Sequence, residues 1–220
     1  TWAASAIILI VAAGFARTYY LKTLFGTPAL PWLLHVHGLI MTLWFTLFLL
    51  QVRLVAAGRT DLHRRLGVAG AVLATLVVVA GVSTAISAAR LGHTPGPPPL
   101  VFLTIPLGDM VVFPILVGAG LFFRRRGDFH KRFMLLSTLS LLTAAIARIP
   151  LPMSAAGGLP MFFGLTDLCI FTCIACDTTK NRRLHPAFAW GALGIVASQV
   201  LRFLVAGTHA WSQFATWLIG

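Results

Sequence analysis

Long apolar runs separated by short polar stretches dominate the chain and predict its elements. A hydrocarbon core about 30 Å thick needs about 20 apolar residues in a helix, and the chain offers seven such runs. They lie at roughly 1–20, 32–56, 64–89, 99–123, 130–152, 159–179 and 186–206. Stretches such as 71–89 lack the alternation of polar and apolar residues that barrel strands show. The pattern therefore predicts an all-α, polytopic transmembrane helix bundle, with residues 1–220 forming a single domain of about seven spans.

The composition agrees with a bilayer as the surrounding solvent. Hydrophobic residues make up 58% of the chain and charged residues 10%, against about 45–50% and about 25% in globular domains. A cytosolic enzyme, a disulfide-stapled secreted domain and a disordered chain are thereby excluded. The net charge of +12 raises the question of nucleic acid, but the basic residues form short clusters between the apolar runs. We therefore expect the lipid bilayer, and no nucleic acid, as a partner.

The basic clusters predict an orientation. Twelve of the seventeen basic residues lie in or beside the loops between spans two and three, four and five, and six and seven. They are Arg53, Arg59, Arg64, Arg65, Arg124, Arg125, Arg126, Lys131, Arg132, Lys180, Arg182 and Arg183. Because cytoplasmic loops of membrane proteins carry an excess of Lys and Arg, these three loops and the amino terminus are predicted to be cytoplasmic.

Two of these junctions have nearly the same sequence. TDLHRRL at 60–66 opens span three, GDFHKRF at 127–133 opens span five, and the shorter RLHPA at 183–187 opens span seven. We interpret this as three helical-hairpin repeats, each of which starts its return helix near a histidine: His63, His130 and His185. Asp61 and Asp128 stand where N-caps are expected, accepting hydrogen bonds from the first N–H groups of the helix.

The three histidines have two interpretations. If the hairpins pack around a common axis, their imidazoles converge at one membrane depth and can bind haem b or a metal whose identity the sequence leaves open. The flanking Arg and Lys side chains suit haem propionates better than a bare cation, so haem b is preferred, with His37 as a candidate ligand nearer the other membrane surface. In the alternative interpretation, the three residues lie at the interface and contact headgroups or a neighbouring loop.

Two acids fall near the middle of their spans. Asp109 and Asp167 each lie about ten residues into an apolar run, and a central Asp costs at least about 2.5–3.5 kcal/mol on insertion scales. We expect both to face the bundle interior, with Arg148 as the counter-ion of either one. This buried ionisable network is either a structural ion pair that locks helices or a functional polar site.

The junction motifs carry a resemblance. GRTDLHRRLG at 58–67, FHKRFM at 129–134, LHPA at 184–187 and the His-x-His-Gly start of span two resemble a family of small, functionally unassigned bacterial polytopic membrane proteins. More loosely, the chain resembles haem-copper oxidase accessory proteins and cytochromes of the b561 type. These resemblances imply a location in the bacterial inner membrane.

Three function classes follow from the sequence, and whether the protein is an enzyme stays open among them. The first is a redox protein with haem b or a metal on histidines, exchanging electrons with quinone. The second is a non-catalytic accessory or assembly subunit that binds other subunits of a respiratory or photosynthetic membrane complex. The third is a small proton-coupled transporter, which the two deep acids favour.

Overall fold

The computed structural model describes residues 1–94, 96–150 and 154–220, with only the backbone for 154–157. The described residues form helices and turns, without strands, which confirms the all-α fold class. The end of the predicted fifth span, at 151–152, lies outside them. The helices are α1 (Trp2–Phe15, continued by a π-helical turn, Ala16–Tyr20), α2 (Trp32–Ala56), α3 (Thr60–Arg90), α4 (Pro99–Phe102), α5 (Thr104–Phe122), α6 (Gly127–Leu139), α7 (Thr143–Ile146), α8 (Ser154–Asn181), α9 (Pro186–Ala206) and α10 (His209–Ile219).

Six helical segments are long and apolar enough to cross a membrane. They are Trp2–Tyr20, Trp32–Ala56, Thr60–Arg90, Pro99–Phe122, Gly158–Asn181 and Pro186–Ala206, which correspond to six of the seven predicted spans. Large apolar side chains on these helices face outward, including Phe122 at 79% exposure and Trp190 at 71%. Surfaces of this kind are suited to lipid, so the structure supports a multi-pass membrane protein.

The predicted fifth span is not a continuous helix. The helix α6 ends at Leu139, and the four-residue α7 follows after a turn. The hydroxyls here bond the preceding helical turn: Ser137 and Thr138 donate to the carbonyl of Met134, and Ser140 donates to the carbonyl of Ser137. Such bonds compete with the helical backbone pattern and can bend a helix, and here they cluster where the helix ends.

The chain divides into two compact units, Thr1–Val77 with Leu141–Cys173 and Val78–Ser140 with Ile174–Gly220. In the first unit, α1 packs against α2 and α7. Gly14 allows the close approach to α7, because a Cβ atom there would overlap the carbonyl oxygen of Ala145. The π-helical turn is tied to α2 by hydrogen bonds from Tyr19 to the carbonyl of His35 and between the hydroxyls of Tyr20 and Thr42.

The second unit contains a three-helix core. The helices α5, α6 and α9 pack against one another, and Phe113, Leu136 and Phe188 are fully buried among them. The terminal helix α10, which no apolar run predicted, packs on α4 and on the end of α9. This unit brings together most of the ionisable side chains described below.

Candidate functional site

A polar network of four residues (Asp128, Arg132, Asp177 and His185) joins α6, α8 and the start of α9 in the second unit. The Arg132 guanidinium donates to both carboxylate oxygens of Asp177, with Nη2–Oδ1 and Nε–Oδ2 distances of 2.8 and 2.9 Å. Arg132 is only 4% exposed, and its Nη1 also donates to the carbonyl of Asp128 at 2.7 Å. A bidentate arginine–carboxylate pair of this geometry holds two helices in a fixed register.

His185 uses both ring nitrogens within this network. It is the N-cap of α9, and its Nδ1 accepts a hydrogen bond from the N–H of Ala187 at 3.2 Å. With Nδ1 as an acceptor, Nε2 carries the proton and donates it to Oδ2 of Asp128 at 3.1 Å. The hydrogen bond from His185 lowers the pKa of the Asp128 carboxyl, with first-turn backbone N–H groups as a smaller contribution. An imidazole bonded in this way must give up one of these partners to ligate a metal.

Aromatic rings surround the network. The Phe129 ring meets the His185 ring edge to face with centroids 4.6 Å apart, and Arg132 lies 5.6 Å over the Phe188 ring. These rings lower the local dielectric, which strengthens the enclosed charge interactions.

The second deep feature is the ion pair between Asp109 of α5 and Arg202 of α9. Arg202 Nη1 lies 2.7 Å from Oδ1 of Asp109 and also donates to the carbonyl of Ile105, while its Nε donates to the hydroxyl of Ser198. Helical side chains tilt toward the amino terminus of their own helix, so these two meet when α5 and α9 run in opposite directions. Gly108 makes room, because a Cβ atom there would overlap the Arg202 guanidinium.

Arg202 is the ion-pair partner that the sequence reasoning missed. The prediction named Arg148 as the counter-ion of Asp109 or Asp167, whereas the structure pairs Asp109 with Arg202. The Arg148 guanidinium lies 4.8 Å over the Phe15 ring and donates to the carbonyl of Ala144. Because Arg202 lies four residues from the end of a predicted span, the sequence did not distinguish it from an arginine at the membrane interface. The available signal was its position beside Ser198 and Gln199 on one helical face.

His63 and His130 occupy equivalent positions, each the fourth residue of its helix. The His130 Nδ1–H donates to the carbonyl of Gly120 at 2.8 Å, so the end of α5 orients its ring. At His63, the backbone carbonyl accepts a hydrogen bond from Nε2 of Gln51 at 3.2 Å. His185, as an N-cap, has a different position from both.

His37 lies in the first unit, in α2. Its Nδ1 atom is buried and has no hydrogen-bond partner among the described residues. Arg148 is close enough to interact with it electrostatically. The structure therefore brings His37 and Arg148 close together, while Asp167 lies half-buried in α8.

The predicted N-caps need a correction. The helix α6 begins at Gly127 with Arg126 as its N-cap, and no side chain bonds there. Asp128 therefore lies inside the first turn, and Asp61 likewise follows Thr60, the first residue of α3. Each helix therefore begins one residue before its Asp, at Gly127 or Thr60, whereas a capping Asp would come just before the first helical residue. Both carboxylates keep a favourable position at the positive end of a helix dipole.

No group of three or more His, Cys or Asp side chains that could hold a metal ion is found in the described part of the chain. In comparisons with protein-family models, curated proteins and solved structures, no match to the chain was found. The resemblance carried by the junction motifs therefore stays a prediction.

Proposed function

We propose that the chain crosses the bilayer seven times, including the interrupted segment around α7. Arg132, near the start of α6, pairs with Asp177, near the end of α8, so these two helix ends lie at the same membrane surface. The segment Gly158–Asn181 is long enough to cross, which places Gly158 at the opposite surface. The chain between Arg132 and Gly158 then has to cross as well.

The basic residues support an orientation for this topology. Twelve of them lie in or beside the loops between spans two and three, four and five, and six and seven, and the positive-inside rule makes these loops cytoplasmic. The amino terminus is then cytoplasmic, and the resemblance of the junction motifs favours the bacterial inner membrane.

Labelling tests the orientation. We expect Arg126→Cys to react with a membrane-impermeant maleimide only when the cytoplasmic side is accessible, with the wild-type chain and its three native cysteines as background control. Reaction from the periplasmic side alone would overturn the orientation.

Within this membrane frame, a non-catalytic accessory or assembly subunit is the function that the geometry supports best. The observation that supports this function is that ionisable side chains of different helices pair with one another. Asp109, Asp128 and Asp177, three of the five acids, each bond a cationic or imidazole side chain of another helix. Arg132 and Arg202, which are 4% and 7% exposed, are costly to leave unpaired, so their ion pairs fix how the helices pack. The outward apolar surface is left to bind lipid and other membrane subunits.

The size of the native particle tests this function. Extracted from its own membranes in mild detergent, the protein should migrate as part of a larger particle of defined stoichiometry. The same chain produced alone should migrate at the size of one copy. A chain that has the same size in both preparations contradicts the accessory function.

A redox protein with haem b is the second candidate, because one observation favours it. Axial histidines usually donate their second ring N–H to a backbone carbonyl or carboxylate, and His130 donates Nδ1–H to Gly120. His63, at the equivalent helix position, and the buried imidazole of His37 are the further ligand candidates, and quinone would be the electron partner. His185 is the weakest ligand candidate, since both its nitrogens are bonded.

A reduced-minus-oxidised spectrum decides between the two candidates. The haem proposal expects a b-type spectrum in the wild type that is altered in His130→Ala and His63→Ala, with His185→Asn as the control. A pigment-free wild type, or a spectrum unchanged in both variants, would remove the haem proposal and leave the accessory function standing.

A further inference from the structure

The terminal helix α10 is bound at both ends to the ends of membrane-spanning helices. Only Gly207 and Thr208 separate it from the end of α9, and Nε1 of Trp211 donates to the carbonyl of Leu100 at 2.8 Å. At its other end, Arg90 of α3 donates to the carbonyls of Leu218 and Ile219 at 3.3 and 2.9 Å. An arginine at the carboxyl end of a helix satisfies carbonyls that lack helical partners.

These attachments determine how α10 lies. Its eleven residues extend over about 16 Å. Because the spanning helices α3 and α9 both end beside it, α10 runs across those ends, along the membrane surface opposite the basic hairpin junctions.

Around its axis, α10 presents three separate faces. The face toward the protein contains the buried Ala215 and the half-buried Trp211, Leu218 and Ile219. A second, exposed face is apolar and consists of Ala210, Phe214 and Trp217, spaced four and three residues apart. The third, also exposed, is polar and consists of His209, Ser212, Gln213 and Thr216.

From this arrangement we infer that α10 is an interfacial helix whose Ala210–Phe214–Trp217 face inserts into the headgroup region of the adjacent lipid leaflet. The preceding helix α9 also ends with exposed apolar side chains, since Leu201 and Leu204 are 57% and 67% exposed. Trp and Phe are the residues that lie at this depth, with an apolar face buried about 5–10 Å into the headgroup boundary. The inference concerns membrane attachment and is independent of the accessory function.

Fluorescence quenching in liposomes tests the inference. The contribution of Trp217 is the difference between the wild type and Trp217→Phe, with Trp211→Phe as the matched control from the protein-facing side. We expect phosphatidylcholine brominated near the headgroup to quench the Trp217 contribution more strongly than lipid brominated deep in the acyl chain. The Trp211 contribution should show a weaker lipid effect.

Two other results would each overturn the inference. Quenching of Trp217 by aqueous iodide without any effect of brominated lipid would place this face in water. Resistance to both quenchers would mean that protein, such as a second copy of the chain, covers it. Because Trp217 is 74% exposed, Trp217→Phe should fold, and unchanged thermal unfolding in detergent checks this.

Discussion

The two junctions at 60–66 and 127–133 share their sequence pattern but differ in what surrounds them. In both, the helix begins one residue before the Asp, and the N–H of the histidine donates to the carbonyl of the preceding arginine, Arg59 or Arg126. The arginine at the sixth position of each motif behaves differently. Arg65 is exposed, whereas Arg132 is buried against Asp177.

This difference separates what the local sequence determines at the two junctions from what the packing of neighbouring helices determines. The local sequence is sufficient to start a helix at both junctions, because the same first-turn residues recur. The helices packed nearby then decide whether a charged residue faces solvent or closes an ion pair. The repeated motif therefore predicts that a helix starts at each junction. It does not predict that the same ion pair forms at each one.

The largest expected effect comes from breaking the buried pair at the second junction. Arg132→Met leaves the Asp177 carboxylate buried without its partner and should reduce the free energy of unfolding by about 3–5 kcal/mol. Arg65→Met, the matched change at the first junction, should cost less than about 0.5 kcal/mol, as for exposed surface positions. Unfolding of both variants in lipid bicelles measures this, and equal losses would contradict the comparison.

A second prediction concerns two of the three glycines of α5, Gly108 and Gly118. Gly108→Ala places a methyl group against the Arg202 guanidinium and should destabilise by about 1–3 kcal/mol through overpacking. Gly118 has no neighbour within 4 Å of an added Cβ among the described residues, so Gly118→Ala should be neutral or slightly stabilising. The two unfolding free energies in bicelles check this. A Gly108→Ala variant as stable as Gly118→Ala would contradict the Asp109–Arg202 geometry.

A third prediction separates the cap histidine from the other two. His185→Ala removes the acceptor for the N–H of Ala187 and should cost about 1 kcal/mol, a usual value for the loss of an N-cap. His185→Asn, which retains a capping side chain, should restore most of this loss. Thermal unfolding in detergent compares the two, and an Asn variant no more stable than the Ala variant would argue against capping.

The smallest expected effect is an acid-side change in stability. Because His185 lowers the pKa of Asp128 below its ordinary value of 3.8, the contribution of this carboxylate is present above that pH and is lost as the pH falls through the folded-state pKa. Asp128→Asn should lower thermal stability at neutral pH and converge with the wild type in strong acid. Asp61→Asn at the first junction is the control, and an identical profile there would contradict a special role for His185.

Periodicity and charge predicted much of the fold, because span length and basic loops depend only on the local sequence. The second and last predicted spans agree with α2 and α9 at both ends. The interruption of the fifth span after Leu139 was missed, because the mean hydropathy of a long window does not show where a helix ends within it. The helix α10 was missed because, at eleven residues, it gives no span signal.

The candidate site was less predictable than the fold. The sequence pointed to His185 and Asp128, but their pairing depends on how α6 and α9 pack. The choice between Arg148 and Arg202 as the partner of Asp109 depends on helix adjacency, which no local pattern contains. Gly108 had no sequence signal, because the arginine that it accommodates lies in another helix.

A double-mutant cycle on Arg132 and Asp177 tests most directly the claim that these ionisable residues lock the bundle. Arg132→Met, Asp177→Leu and the double variant are compared with the wild type by unfolding in lipid bicelles. The account predicts a coupling energy of about 2–3 kcal/mol, the upper range for residues in contact, so that the double variant loses less stability than the sum of the two single losses. A coupling energy near zero, with additive losses, would contradict it.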